Sequence, residues 1–204
     1  MARYGAEHKQ ATRQRMIEAA GRRFKSDGID GSGIAALVAD AGLTNGAFYG
    51  HFSSKDDLVA AVVTDQLAAQ VAVLESLRGR AGVEAFVHDY LSAAHRDAPA
   101  AGCPSAALLD EIGRCDDATR QAYTTGARAV VAAISRHLDD DGEHASHAEE
   151  QALGLVGLLV GSLQLARALE DRALSDRALA AARVSALKLL APPDRCPTTD
   201  QESS

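Results

Sequence analysis

The stretch TNGAFYGHFSSKDDL, residues 44–58, decides the fold of this 204-residue chain. Thr44 is placed to cap a very short helix that runs to about Gly50, and Ser54 is placed to cap a longer helix that follows. Two aspartates come directly after Lys55, in the first turn of the longer helix, where the helix dipole favours negative charge. The stretch therefore predicts a short helix followed closely by a long one.

The short helix needs an apolar anchor, because a helix of one or two turns is not stable alone in water. We expect Phe48 and Phe52, with Leu43, to supply this anchor. Their partners should be Phe24 and Ile34, which lie on the two preceding helices.

Two helices precede the stretch. The first is expected over about Glu7 to Ser26 and ends at Gly28, a usual C-terminal signal. Ser32 is expected to cap a second, short helix over 33–41, which Gly42 ends. Two helices joined by a tight glycine-containing turn, the second very short, are typical of a helix-turn-helix.

The rest of the chain predicts further helices and no sheet. They are expected at about 55–77, 83–96, 105–114, 117–138, 148–170 and 176–190. The fold class is therefore all-α, with about nine helices. It divides into a three-helix domain over 1–54, a helical domain over 55–191 and a disordered tail over 192–204.

Composition supports this division and limits the location of the protein. Alanine and leucine are abundant and the chain has only five prolines, which favours helix. No uninterrupted apolar run reaches the roughly 18 residues that a membrane helix needs, and the N-terminus carries no apolar signal segment. Three cysteines without metal-type spacing fit a reducing compartment. We therefore expect a cytoplasmic protein with no membrane partner.

The charge is unevenly distributed. Residues 1–55 hold eight Lys or Arg and five Asp or Glu, a balance of +3, whereas residues 56–204 hold 13 and 23, a balance of −10; together these give the net charge of −7. A basic end on an acidic body indicates a nucleic-acid partner for the first domain. The acidic body would discourage nucleic acid from binding elsewhere.

The N-terminal region resembles the tetracycline-repressor (TetR) family. The residues that carry the resemblance are Thr12, Arg13, Ile17, Ala20, Phe24, Gly28, Ile34, Ala41, Gly42, Leu43, Thr44, Gly46, Phe48, Tyr49, His51, Phe52, Lys55 and Leu58. The resemblance implies a homodimeric transcriptional repressor that binds a pseudo-palindromic operator in double-stranded DNA and is released by a small-molecule effector. A repressor and an activator of this family are not distinguishable by sequence.

The resemblance and the geometry of a helix-turn-helix together give candidate DNA-binding residues. Thr44 and Asn45 lie at the end of the recognition helix that reaches base edges, and Gly46 would let the backbone approach DNA closely. Ser32 is a further candidate for a base contact. Phosphate contacts are expected from Arg13, Tyr49, His51 and Lys55. The alternative for each polar residue is a solvated helix surface.

The second domain is expected to bind the effector and to form the dimer. The candidate effector-binding residues are Leu67, Val71, Phe86, Tyr90, Cys103, Leu109, Tyr123, Leu163 and Gln164. The alternative for each apolar member is plain core, and for Cys103 the alternatives of a structural and a reactive thiol both stay open. Gly154, Gly157 and Gly161, with Leu187, are expected at the dimer interface, since close approach of another helix would justify glycines in a helix interior. The alternative is close packing within one subunit.

No catalytic signature accompanies these features. The chain has no glycine-rich phosphate loop, no Gly-x-Ser-x-Gly and no His-Glu-x-x-His pattern. The acidic stretch 137–150 lacks the spacing of a zinc or calcium site and is interpreted as a solvated loop. We therefore expect no enzyme activity, no cofactor and no metal. The competing hypothesis, a helical enzyme or lipid carrier with helix-turn-helix-like helices, does not explain the basic N-terminal domain.

Overall fold

The computed structural model describes residues 2–139 and 145–191, and within these ranges it contains ten α-helices and no strand. The helices are α1 Ala2–Asp27, α2 Ile34–Asp40, α3 Asn45–Phe48, α4 Lys55–Glu75, α5 Gly79–Tyr90, α6 Ala93–Asp97, α7 Pro104–Ile112, α8 Asp117–Leu138, α9 Ala145–Ala168 and α10 Arg172–Leu190, with a 3-10 turn at Pro99–Ala101. The predicted all-α class is confirmed. The predicted tail 192–204 and part of the acidic stretch, 140–144, lie outside the described residues.

An aromatic cluster holds the first three helices together. Phe24, Phe48 and Phe52 are each at most 2% exposed. The rings of Phe48 and Phe52 lie 5.8 Å apart, and Leu43 and Ile34 pack at the edge of the same core. The predicted anchor of the four-residue helix α3 is therefore confirmed.

Glycines end both helices of this unit, as predicted. Gly28, after α1, and Gly42, after α2, have φ of 81° and 68°, a left-handed conformation that other residues rarely adopt. The prediction for Ser32 is wrong: Gly33 occupies the N-cap of α2. Ser32 is fully buried, and its hydroxyl donates to the carbonyl of Gly28 at 2.7 Å. It closes the turn and does not cap the helix.

Reciprocal hydrogen bonds fix the start of α4. The Ser54 hydroxyl accepts from the Asp57 N–H at 3.1 Å. The Asp57 carboxylate accepts from the Ser53 N–H at 2.9 Å and from the Ser53 hydroxyl at 3.1 Å. These bonds satisfy amide donors that a helix start leaves free, so Lys55 becomes the first residue of α4, as predicted.

The second domain is built around α4, which packs along α8, while α9 packs on α8 and α10. At Gly126 of α8 the two helices approach closely, because an added Cβ would collide with Cδ1 of Leu67 on α4 and lie 2.7 Å from its Cβ. By length and composition, α4 and α9 would be able to cross a membrane, but core helices of soluble proteins have the same character.

The structure departs from the predicted helices between 79 and 104. One helix was expected over 83–96, after a break at 78–82. Instead α5 begins at Gly79 and ends at Tyr90, and α6 then starts because the Ser92 hydroxyl accepts from the His95 N–H at 3.1 Å.

Long-range contacts explain this additional helix. Arg96 is 6% exposed and donates to Ser175 at 2.9 Å and to Asp176 at 2.6 Å, both on α10. Asp97 completes the pairing at 2.8 Å. A buried guanidinium is stable only with such partners, so the chain turns at 91–92 to bring Arg96 to α10.

Substitution of Gly126 tests the close packing of α4 on α8. Alanine is a better helix former than glycine by about 1 kcal/mol, but the overlap with Leu67 should outweigh this gain. We expect Gly126→Ala to lower the free energy of unfolding by about 1–2 kcal/mol in urea denaturation. Thr124→Ala, on the exposed face of α8, is the control and should change it by less than about 0.5 kcal/mol. A stabilised Gly126→Ala protein would contradict the packing.

Candidate nucleic-acid interface and ligand pockets

The N-terminal end of α3 is open to solvent. Thr44, Asn45 and Gly46 are exposed, and a Cβ added at Gly46 would meet no atom within 4 Å. Thr44 holds the N-cap position, but its side chain makes no cap hydrogen bond, so its hydroxyl is left for another partner. Tyr49 is 67% exposed. Because Phe48 buries the opposite side of α3, these polar groups project together from the domain.

Basic side chains are also presented by α1 and by the start of α4. Arg13 is exposed, with its guanidinium 4.7 Å from the centre of the Phe52 ring, a cation–π contact that orients it. Lys55 is partly exposed in the first turn of α4. The structure also shows a cation that the sequence reasoning missed, Lys9, one turn before Arg13 on α1. The spacing of four residues between Lys9 and Arg13 places both cations on one face of α1, and this was the signal in the sequence.

His51 differs from the cations around it. Burial lowers its pKa, and the charges of Lys9 and Arg13 lower it further. Its Nδ1 atom is buried without a hydrogen-bond partner in the described part of the chain. At neutral pH His51 is therefore an uncharged imidazole that can hydrogen-bond a phosphate without adding positive charge.

Seven of the eight predicted DNA-binding residues are thus at least partly exposed. The exception is Ser32, whose burial and bond to Gly28 rule out a side-chain contact with bases.

Two pockets, each of about 400 Å³, are lined in part by residues predicted to bind the effector. The first, the α1–α4 pocket, is lined by Lys25, Asp65, Gln66, Ala69, Gln70, Val73, Phe86, Tyr90, His95, Ala101, Gly102, Cys103 and Pro104. The second, the α4–α8 pocket, is lined by Thr64, Leu67, Ala68, Val71, Gln121, Ala122, Thr125, Gly126 and Ala129. They lie on different faces of α4, since their lining residues alternate along it.

The predicted effector-binding residues are divided between these sites. Phe86, Tyr90 and Cys103 line the α1–α4 pocket, and Leu67 and Val71 line the other. The remaining four line neither pocket: Leu163 is fully buried core, Leu109 is 38% exposed on α7, the Tyr123 hydroxyl donates to Ser105 at 3.0 Å and Gln164 is half-buried. The predicted effector-binding residues thus stay a prediction, and five of the nine line one or the other of these two pockets.

The α1–α4 pocket has apolar walls with several polar groups. Val73, Phe86 and Pro104 supply apolar surface. The Tyr90 hydroxyl and the Gln66 side-chain oxygen are buried and have no hydrogen-bond partner among the described residues. Such groups are stable only when something pairs with them, so they are candidates for ligand contacts. Gln66 was not among the predicted ligand-binding residues. Its signal in the sequence was the pair of amides, Gln66 and Gln70, that lie four residues apart on an otherwise apolar helix.

His95 organises the inner end of this pocket. Its Nδ1 lies 2.8 Å from the Tyr90 carbonyl, and its Nε2 accepts the Cys103 N–H at 3.0 Å, which fits a neutral ring protonated at Nδ1. Burial lowers the His95 pKa, and the nearby cations Arg167 and Lys25 lower it further. The Cys103 thiol, 8% exposed, donates to the Gln70 side-chain oxygen at 3.5 Å.

Polar links connect the inner end of this pocket and its α7 wall to the turn after α1. Lys25, near the end of α1, donates to the Gly102 carbonyl at 2.9 Å. On α7, the Glu111 carboxylate accepts the N–H groups of Ile29 and Asp30 at 2.8 and 3.1 Å. The turn after α1 is therefore tied to the segment that forms the pocket wall.

The glycines of α9 face outward from the chain. Added Cβ atoms at Gly157 and Gly161 would meet nothing within 4 Å, so close packing within one subunit is the wrong interpretation for them. A Cβ added at Gly154 would meet only the Leu189 side chain, at 3.6 Å. Leu187, the fourth predicted interface residue, is half-buried on α10. Apolar side chains surround the stripe: Leu153 is 62% exposed, Leu165 55% and Val184 54%. This face of α9 and α10 is open and apolar.

Comparison with known proteins agrees with this arrangement. The family described as bacterial regulatory proteins, tetR family, matches residues 16–62, which contain α2, α3 and the start of α4. The transcriptional regulator TtgR of Pseudomonas putida is 41% identical over 63 residues, which cover 31% of this chain and 30% of TtgR. The chain thus matches less than a third of that relative's length.

A second relative matches over more of the chain. The transcriptional repressor NemR of Escherichia coli is 26% identical over 139 residues, 65% of this chain and 70% of NemR. The crystal structure of E. coli NemR in its reduced form superimposes with a TM-score of 0.74 at 24% identity, over 90% of this chain and 99% of that one. That likeness shows a shared fold through both domains. Residues 16–62 thus match the tetR family of bacterial regulatory proteins, and the chain as a whole is similar to TetR-family regulators in sequence over 139 residues and in fold over both domains.

Proposed function

We propose that this protein is a cytoplasmic transcriptional repressor, a homodimer that binds operator DNA through α3 and leaves it when a small-molecule effector binds. The observation that carries the proposal is the open end of α3. Three exposed residues, Thr44, Asn45 and Gly46, project there because Phe48 fixes the opposite side of the helix in the core. This is the geometry by which a recognition helix enters a major groove.

Basic and polar side chains of this domain support contacts with the DNA backbone. Arg13 on α1 and Lys55 at the start of α4 supply positive charge in this domain, Tyr49 supplies a hydroxyl, and His51 supplies an imidazole whose pKa is lowered by burial. Backbone contacts of this kind position a protein on DNA, and base contacts then select the sequence. The balance of +3 on residues 1–55 against −10 on the rest favours an approach by this domain.

The open apolar face of α9 and α10 supports the dimer. Glycines leave room for the backbone of a second helix, and exposed Leu153, Leu165 and Val184 would be covered by it. A two-fold dimer would present two copies of α3, as a pseudo-palindromic operator requires. The name of NemR describes a repressor, and this agrees with the direction of regulation that we propose.

The α1–α4 pocket supports release by an effector. It is lined by residues of both domains, and its wall is hydrogen-bonded to the turn after α1. An effector that binds more tightly to the DNA-incompetent arrangement would shift the population away from DNA. No part of this proposal involves catalysis.

Salt dependence tests the DNA-binding surface. A duplex selected from a random pool should bind with a log affinity that falls by about 0.9 per neutralised phosphate as log salt rises. Lys55→Ala removes one cation from each subunit, so it should weaken selected and random duplexes alike and reduce the slope by about 1.8 per dimer. Arg128→Ala, which removes an exposed cation from α8 in the second domain, is the matched control. An unchanged slope for Lys55→Ala in fluorescence anisotropy would contradict the proposed phosphate contact.

Substitution in the glycine stripe tests the dimer. Gly157→Leu places a large side chain where the structure leaves open space, so the monomer should fold normally while a second copy is kept away. We expect a monomer in sedimentation velocity and loss of binding to the selected duplex. Thr124→Leu adds a similar side chain to the exposed face of α8 and should stay dimeric. Should Gly157→Leu sediment as a dimer, the stripe is not at the interface.

A further inference from the structure

We propose that the α1–α4 pocket binds a small organic acid, with its carboxylate on Lys25 and Tyr90 and its apolar body against Phe86 and Val73. The assignment of a ligand class depends only on the pocket. Its regulatory consequence, that the acid releases DNA by acting directly on α1, rests on the proposed function.

Two half-buried cations beside the pocket have no acidic partner. Lys25 lines the pocket and donates to the carbonyl of Gly102. Arg167, just behind Gly102, donates to the carbonyls of His95, Arg96 and Ala106 at 2.9, 3.2 and 3.2 Å. Neither forms an ion pair with any carboxylate in the ranges 2–139 and 145–191.

The neighbouring cation Arg96 differs from Lys25 and Arg167, because it does have acidic partners. Arg96, in the adjacent helix α6, is paired with both Asp97 and Asp176. Burial lowers the pKa values of Lys25 and Arg167, as expected for cations whose charge is not balanced nearby. The pocket therefore has a positive potential that a bound anion would neutralise.

The start of α7 adds to this potential. Cys103 and Pro104, which line the pocket, are the N-cap and first residue of the nine-residue helix α7. The positive end of the α7 dipole is thus directed toward the pocket. This feature supports an anion only in combination with the two cations.

The one carboxylate that lines the pocket lies toward its other end. Asp65 accepts a hydrogen bond from the Gln14 side-chain amide at 2.9 Å. The side chain of Gln70 contacts Cys103. Gln70 lies five residues after Asp65 on α4, which corresponds to a rise of about 7.5 Å. Asp65 therefore leaves the region around Lys25 and Cys103 free for an anion.

Buried groups without partners define the remaining chemistry. Tyr90 is 5% exposed, its ring packs against His95 and Phe86, and its hydroxyl has no hydrogen-bond partner in the described part of the chain. A hydroxyl donor next to a cation suits a carboxylate oxygen. The Gln66 oxygen, an unpaired acceptor, suits a hydroxyl or amine on the ligand body. A volume of about 400 Å³ and the Phe86 wall fit an aromatic ring.

The position of Lys25 gives the acid a direct route to the DNA-binding domain. Lys25 belongs to α1, and its ammonium now holds the carbonyl of Gly102. The bond from the ammonium to this carbonyl carries one charge, whereas a bond to a carboxylate carries two opposite charges, so a carboxylate would compete with the carbonyl for the ammonium. The end of α1 would then move relative to the segment that leads into α7.

Calorimetry on the full-length protein without DNA tests the ligand class. The probes are benzoate, 4-hydroxybenzoate and 2-naphthoate, each compared with its neutral carboxamide. We expect at least one acid to bind once per chain and at least about tenfold more tightly than its amide. Lys25→Met should weaken the acid by at least about tenfold, and Lys25→Arg, which keeps the charge, by less than about threefold.

Two further variants distinguish the loss of a pocket contact from a general loss of charge or of folding. Arg128→Met removes one exposed positive charge from α8, outside the pocket, and should bind the acid as the unmodified protein does. Tyr90→Phe keeps the ring and removes only the hydroxyl, so it should weaken the acid even if Lys25→Met folds poorly. The proposal is wrong if the amides bind as tightly as the acids, if none of the three acids binds at millimolar concentration, or if folded Lys25→Met or Tyr90→Phe binds them unchanged.

The regulatory consequence is tested separately on the selected duplex. The acid should weaken DNA binding by the unmodified protein and leave DNA binding by Lys25→Met unchanged. If the protein binds the acid but no DNA, the proposed function fails while the ligand class stands. If the protein binds both, and saturating acid leaves DNA affinity unchanged, the route through Lys25 is wrong.

Discussion

Burial of Phe48 and Phe52 in the apolar core that also holds Phe24 is the interaction on which the position of α3 depends. The helix α3 has four residues and no stability of its own. Each fully buried phenylalanine contributes about 1.5–3 kcal/mol, enough to hold such a helix in place. The same ring of Phe52 carries the guanidinium of Arg13 on its outer face. One apolar cluster therefore positions both the residues proposed to face bases and a cation proposed to face phosphate.

Apolar packing and polar bonds both join this cluster to the second domain. Met16 and Ile17 of α1 belong to the same apolar core as Val59, Val62 and Val63 of α4. Glu111 holds the backbone after α1, and Lys25 holds Gly102. Hydrogen bonds to charged groups contribute about 1.5–3 kcal/mol each, a range comparable to the coupling free energies by which ligands change affinity at a distant site. A ligand that alters these polar bonds would therefore act on α1 through the pocket wall, while the apolar core keeps the two domains together.

Local signals made the N-terminal domain predictable, and long-range contacts made the second domain less so. Glycines at 28 and 42 and the serine before Lys55 act within a few residues, and the structure confirms the helix ends they predict. The turn that starts α6 depends on Arg96 meeting Asp176, eighty residues later, which no local pattern reveals. For the same reason the sequence does not divide the candidate effector-binding residues between two pockets, because periodicity alone does not tell which faces of α4 are covered.

Lys25 shows why charge counted along the sequence differs from charge presented to a partner. It contributes to the +3 of residues 1–55, yet it points into the pocket and holds a carbonyl of the second domain. Arg23 is likewise occupied, by Asp27 and Asp40. The positive charge proposed to face DNA is therefore limited to a smaller set of side chains, among them Arg13 and Lys55. An anion held at Lys25 would lower the charge of this domain further. Its electrostatic effect on DNA binding would act in the same direction as the displacement of α1.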